Sequence, residues 1–511
     1  MPLILLAACA ALALRCPNLD ERPMHNDEGV NAFKFGQLWE QGSYKYDPNE
    51  HHGPSLYYAA LALGRVTGGP DLAQYSDKRL RMVTVVFGLA LLLVLPLLID
   101  GLGRMGTAWA AVFIATSPAL VFYSRYFIHE TLLVFFTSLL LGAGWRYWRT
   151  RRVGWALLAG ASLGLMMASK ETFIITIGAA VIALGLNHTW NRLLDASGLP
   201  VKAAPLNLSH LAVGLVACLI VTGLLFTSFL SNAAGLADAI RTYEPWFKRA
   251  GGESPHIHPW YFYFHRLLWF HVSRGPVWTE GLLLILAGIA AVAGFRRRFL
   301  GRANASFIRF VALYTFLATA FYSLLPYKTP WCLLTFWSTT ALLAGVGAAV
   351  LLRSVRLPMW KPAMRVLLLA CTAHLCWQSW QQSTGYAADQ RNPYVYAQTS
   401  PDLLKLVARA KGLADISPER TNLLINVVVP DGDYWPLPWY LRQLKQIDWS
   451  GQLASAPVMI VAASLNAHLD EKGTHLMVGY FQLRPRHFLE LYVSKELWQE
   501  WLAKLPPQNS E

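Results

Sequence analysis

Residues 82–99 read MVTVVFGLALLLVLPLLI, an apolar run without a single charge. A run of this kind is long enough to cross the hydrocarbon core of a bilayer as one helix. Further stretches share its character: 2–16, 106–123, 131–148, 153–168, 172–187, 209–230, 277–295, 307–326, 331–352 and 364–383. Their repetition points to an all-α polytopic membrane protein with about 11 transmembrane helices. Composition agrees. Of 511 residues, 54% are hydrophobic and 14% charged, against about 25% charged in a typical soluble domain. A soluble enzyme this apolar could not cover its surface, and disorder, a disulfide scaffold and a coiled coil are excluded as well. Six cysteines lie mostly in or beside the apolar runs with no CxxC pair, as small helix residues do.

Where the charge sits gives the topology. The chain carries a net +14, yet residues 384–511 hold 12 basic and 13 acidic residues, so the excess belongs to the membrane part. It does not form a basic and aromatic stripe, which argues against nucleic acid as a partner. With the N-terminus cytoplasmic, the inner connections near 100–105, 146–152, 188–208, 296–309 and 353–365 hold 16 basic and 2 acidic residues. The outer segments of the membrane part hold 16 and 15. This bias places residues 17–81, the loop 231–276 and the C-terminal segment outside a plasma (inner) membrane, in the periplasm or exterior. The run 2–16 is short for a span, so the helix sits at the rim or the true start lies upstream. A membrane module, 1–383, is therefore expected, with 17–81 as its first external and catalytic loop. A soluble external α/β domain, 384–511, follows it. In that domain 421–430, 456–464 and 475–483 read as buried strands, and 400–412, 437–447 and 495–505 as helices.

Polar residues beside the bilayer carry the chemistry. The first outer loop opens Met24-His25-Asn26-Asp27-Glu28-Gly29. Paired carboxylates at the membrane surface suit general-base catalysis or a metal anchor, although Asp27 could equally cap a helix starting near Gly29. The loop continues through Tyr46-Asp47-Pro48 and His51-His52-Gly53-Pro54 into an amphipathic interfacial helix, 55–66, that carries Tyr57 and Tyr58. Adjacent side chains diverge, so the two histidines do not form a metal pair. Outer helix ends add Ser124-Arg125, His129-Glu130, Ser169-Lys170-Glu171 and Tyr327-Lys328-Thr329-Pro330-Trp331. A lone cation there can snorkel. Charges that converge on one face near the membrane more often mark a site. Together they offer cations for a phosphate and carboxylates for a base, which suits a lipid-phosphate sugar donor.

These motifs resemble the C superfamily of membrane glycosyltransferases (GT-C), which includes protein O-mannosyltransferases and aminoarabinose transferases. Asp27-Glu28 looks like its acidic pair, Arg125 with Glu130 like its second acidic position, and Lys170 like the lysine ending its fifth helix. The set with Tyr46-Asp47-Pro48, His52-Gly53-Pro54, Lys328, Pro330-Trp331 and Pro438-Trp439-Tyr440-Leu441-Arg442 is similar to a branch associated with flippase activity in archaeal N-glycosylation and its bacterial relatives. The resemblance implies an inverting glycosyltransferase that moves a sugar from a polyprenyl-phosphate donor to a lipid, glycan or protein acceptor at the outer face. Asp27 would be the base, with Glu28 beside it. Arg125, Lys170 and Lys328 would bind the donor phosphate, and Glu130, Glu171, His52 and Tyr57 would orient the acceptor. A divalent cation, Mg²⁺ or Mn²⁺ on Asp27, Glu28 and Glu130, stays open. The rival reading is a lipid-linked sugar flippase or a non-catalytic partner of glycan export. Repeats and mid-depth charges, expected of a transporter, are not evident. The segment 431–444, DGDYWPLPWYLRQL, either stacks on a sugar or packs the domain.

Overall fold

A computed structural model describes residues 2–49, 52–193, 207–252, 254 and 256–504. Contacts divide the chain into two units. One comprises Met1–Leu19, Gln37–Thr67 and Lys78–Tyr396; the other comprises Asp20–Gly36, Gly68–Asp77 and Ala397–Glu511.

The first unit is helical and is built around Leu334–Ser354, a helix buried along nearly its whole length. Small residues let neighbours approach it. A Cβ on Gly347 would lie 1.8 Å from the Leu286 carbonyl oxygen of the helix Gly281–Arg296. Close backbone approach of this kind packs helices where lipid supplies no hydrophobic drive. Five helices among the described residues are long and apolar enough to cross a membrane: Asp77–Leu102, Phe173–Arg192, Leu208–Phe226, Ala305–Leu324 and Pro330–Ser354. The chain is thus a multi-pass membrane protein. The expected run 106–123 is two helices, Arg104–Thr116 and Pro118–Ser124, bent by 56°, and would make a sixth span if counted as one. Pro118 causes the break, because it cannot donate into a continuous helix.

The remaining expected spans form helices that miss the length or composition of a span. Pro2–Arg15, Val153–Met167 and Gly281–Arg296 are short, with 14, 15 and 16 residues. Glu130–Thr150 ends in Arg146 and Arg149, and Trp360–Ser383 carries Lys361, Arg365 and three glutamines. The count of about eleven is therefore larger than helix length and apolarity support.

In the second unit a five-stranded mixed sheet comprises β1 (Ile425–Val428), β2 (Ile447–Asp448), β3 (Val458–Ala462), β4 (His475–Arg484) and β5 (His487–Ser494), in the order β2-β1-β3-β5-β4. β1 runs parallel to β2 and β3, whereas β5 is antiparallel to β3 and β4. Helices Asp402–Ile416 and Lys495–Lys504 form where the sequence predicts them. The third expected helix, 437–447, shrinks to Leu437–Tyr440.

Candidate active site

Within the first unit, three motifs far apart in sequence meet. Lys170 follows Val153–Met167, and Glu130 opens Glu130–Thr150; the two pair as a buried ammonium and carboxylate, each side chain 6% exposed. Burial alone would lower the lysine pKa, but the Glu130 charge outweighs it and holds Lys170 well above its usual value. Next to it, the Glu171 carboxylate accepts a hydrogen bond from His52 Nδ1 at 3.1 Å. Burial would raise the Glu171 pKa; His52 by charge and hydrogen bond, together with Lys170, overcomes this and holds it at about 2.

Gly53 ties the pairs together. Its amide donates to the Ser169 carbonyl at 3.1 Å, and His129 Nε2 donates to its carbonyl at 3.0 Å. A Cβ at Gly53 would lie 2.1 Å from the Ala168 carbonyl oxygen, so only glycine fits. The Ser55 and Ser169 hydroxyls bond at 2.7 Å. Tyr57 is 1% exposed, with ring centroids 5.0 Å from Tyr44 and 5.5 Å from His129. It packs this junction from inside the helix Ser55–Val66. His51 lies outside the described residues.

The other two expected phosphate ligands bind main-chain carbonyls. The Arg125 guanidinium donates to the carbonyls of Leu14, Arg15, Pro17, Asn18 and Ser383 at 2.7–3.3 Å. It thereby satisfies carbonyls at the end of Pro2–Arg15, a role that favours a cation. The Lys328 ammonium donates to the His258 carbonyl at 2.9 Å and to the Leu325 carbonyl. Burial lowers its pKa. His258 is held at about 4 by burial and by the charges of Arg266, His256 and Lys328.

Asp27 and Glu28 lie in the second unit, in the first turn of the helix Asn26–Gln41. The helix starts three residues earlier than the capping alternative requires, so Asp27 is not its cap. Glu28 is 0% exposed, and Arg22 donates to its two oxygens at 2.7 and 3.2 Å. The His25 amide donates to Glu28 Oε2 at 2.9 Å, the reciprocal half of a capping box. Glu28 therefore anchors the turn. The Asp27 side chain is 34% exposed, with Oδ1 3.8 Å from His25 Nδ1. Both oxygens of Glu28 are engaged by Arg22, and Glu130 Oε1 is engaged by Lys170. Among the described residues no group of three or more His, Cys, Asp or Glu is arranged to hold a metal ion.

Sequence reasoning missed Glu280. Its carboxylate receives Ser117 Oγ at 2.5 Å, the Ala119 amide at 2.8 Å, Trp337 Nε1 at 2.9 Å and the Tyr394 hydroxyl. The Ala119 amide is orphaned by the Pro118 break, and Glu280 supplies its acceptor. An acid directly before the apolar run Gly281–Arg296 was the available signal. Arg22 was missed too, since its pairing with Glu28 depends on a tertiary turn.

Residues 66–221 match the family described as dolichyl-phosphate-mannose-protein mannosyltransferase. Among solved structures, ArnT from Cupriavidus metallidurans bound to undecaprenyl phosphate is 15% identical, with 96% of this chain and 97% of that chain covered and a TM-score of 0.59. The apo state of ArnT from Cupriavidus metallidurans gives 15%, 97%, 98% and 0.58 for the same measures. The oligosaccharyltransferase AglB from Archaeoglobus fulgidus, in complex with an inhibitory peptide and a dolichol-phosphate, is 12% identical, with 99% of this chain and 75% of that chain covered and a TM-score of 0.53. No curated protein sequence matches the chain.

Removing one partner of a buried ion pair leaves an uncompensated charge and costs about 3–5 kcal/mol. Lys170→Met and Glu130→Gln should each destabilise the detergent-solubilised protein strongly, and the double variant should lose much less than their sum. Thermal unfolding of all four proteins reads this coupling. A second expectation concerns acid. Glu171 ionises at about 2 in the fold against an ordinary 4.5. Its stabilisation is complete above pH 4.5 and is lost as pH falls through 2. Glu171→Gln should therefore flatten the unfolding profile across that window.

Proposed function

We propose, from the premise that this chain has the fold of the C superfamily of membrane glycosyltransferases, that it transfers a sugar from a polyprenyl-phosphate donor to an acceptor at the outer membrane face. The observation that carries this reading is the junction of His52-Gly53, His129-Glu130 and Ser169-Lys170-Glu171, which sets a charged lysine at the end of a membrane helix. ArnT bound to undecaprenyl phosphate and AglB bound to a dolichol-phosphate support a lipid-phosphate donor. The 16 basic against 2 acidic residues of the inner connections support a cytoplasmic N-terminus, with the first loop and C-terminal domain outside. The eleven apolar runs of the sequence favour more crossings than the five or six that helix length and apolarity support.

Asp27, the more exposed carboxylate, takes the proton of an acceptor hydroxyl. The freed oxygen pair attacks the anomeric carbon opposite the phosphate, and the carbon–oxygen bond to phosphate breaks with its electrons on the leaving polyprenyl phosphate. The anomeric configuration inverts. Glu28 positions Asp27 through Arg22 and the His25 amide. Phosphate leaves readily, so the protein's task is to offset its growing charge. Lys170 is the leading candidate and Lys328 the second. Arg125 acts through structure, holding the carbonyls around the end of the first helix. Within the first unit His52, Tyr57, Glu130 and Glu171 surround the lysine, and they are the residues assigned to orienting the acceptor. A metal is not built into this scheme, because Glu28 and Glu130 already carry cationic partners.

A positioned general base contributes about 10²–10⁴-fold. Purified protein in nanodiscs, given radiolabelled undecaprenyl-phosphate sugars and a membrane glycolipid extract, should release label from the donor. Asp27→Asn should slow release at least about 100-fold while unfolding at the wild-type temperature. Undiminished release by Asp27→Asn removes the base. Movement of intact donor across the bilayer without cleavage replaces the transferase by a flippase.

A further inference from the structure

The loop after β1, the residue that follows β2 and the helix carrying Asp27 bring four aromatic rings into a row within the second unit. Phe33 and Trp435 have centroids 5.7 Å apart, Trp435 and Tyr434 6.2 Å, and Tyr434 and Trp449 4.7 Å. Rings that serve only packing are buried, as Trp439 of the same loop is, at 1% exposure. Its indole N–H donates to Asp77 Oδ1 at 2.7 Å. The row differs on both counts. Phe33 is 44% exposed, and Tyr434, Trp435 and Trp449 are partly exposed. Among the described residues, the indole N–H groups of Trp435 and Trp449 donate to no protein acceptor.

The edge of the row is polar. Asp433 binds Arg484 at 2.9 Å and His487 at 3.3 Å. Arg484 also donates to the carbonyls of Asp433 and Trp435 at 3.2 and 3.3 Å, which fixes the loop that presents the rings. Opposite charges cancel there, so the surface favours a neutral ligand over an ion. Asp27 is close enough to Arg484 to influence its ionisation. A Cβ on Gly29, two residues after Asp27 on the same helix, would lie 2.4 Å from Pro436 Cβ and 3.5 Å from the Trp435 ring, so the first turns of this helix pack directly on the loop that presents the rings.

We propose that this row is a carbohydrate-binding platform that holds a neutral glycan acceptor beside Asp27. A sugar ring presents C–H faces to aromatic rings and hydroxyls at its rim to a carboxylate, a guanidinium and free indole N–H groups. The occupant named here is a glycan rather than a lipid surface, since a bilayer would not use the Asp433–Arg484 edge. The assignment of this ligand as acceptor rests on the transferase reading; its binding does not.

Saturation-transfer NMR on the full chain in detergent, without any donor, tests binding separately. The probes are mannotriose, maltotriose and chitotriose. Wild type should saturate the ring protons of at least one, and Trp449→Ala should weaken that affinity about fivefold, a loss typical of a removed aromatic contact. Trp449→Phe should restore most of it, which separates a stacking surface from general damage. No saturation of any trisaccharide by wild type overturns the platform, as does an unchanged affinity in Trp449→Ala. A protein that binds the trisaccharides but cleaves no lipid-linked sugar keeps the platform and loses the transferase. One that cleaves donor but binds equally in Trp449→Ala keeps the reaction and loses the platform.

Discussion

An ammonium group cannot be taken out of water at the end of a membrane helix without an anion to meet it. Burial of a single charge costs several kcal/mol even after relaxation. Lys170 meets that constraint through Glu130, and the rest of the junction follows from it. Fixing Lys170 fixes Ser169, whose carbonyl receives the Gly53 amide, and Gly53 in turn receives His129, the neighbour of Glu130. The circuit closes on itself. Glu171, one residue further, is held ionised by His52, one residue before Gly53. A lysine–carboxylate pair and a histidine–carboxylate pair thus share one backbone crossing that admits no side chain at residue 53.

The same logic separates the two acids of the other unit. Adjacent residues on a helix point in different directions. Glu28 turns inward and is neutralised by Arg22, while Asp27 keeps a third of its surface in solvent. The buried acid anchors the turn, and the exposed one keeps access to solvent. The proposed reaction uses this difference, since a base contributes only when its position is fixed before the substrate arrives.

The apolar runs made the membrane class legible, because lipid forces every backbone group into helical bonding. Helix bounds were read well where length and polarity agree, as for 209–230, observed as Leu208–Phe226. Pro118 broke a run that hydropathy alone treats as continuous, and β5 escaped notice because it pairs as the second strand of a hairpin, with charged and exposed residues among its buried ones. At the site, residue types were readable and partners were not. Sequence marked Arg125 and Lys170 alike as cations at helix ends. Only tertiary structure distinguishes a guanidinium surrounded by main-chain carbonyls from an ammonium paired with a carboxylate. An acid at the head of an apolar run made Glu280 visible, but not its partners, since its acceptor role is created by a helix break more than 150 residues away.

Equilibrium binding of undecaprenyl phosphate by native mass spectrometry tests the central claim most directly. The comparison is wild type against the Lys170→Met/Glu130→Gln double variant, in which both buried charges are removed together and the fold is retained. If Lys170 meets the lipid phosphate, the double variant binds at least about tenfold more weakly, the loss of one charge-assisted contact. Equal affinity in the two proteins would contradict the account.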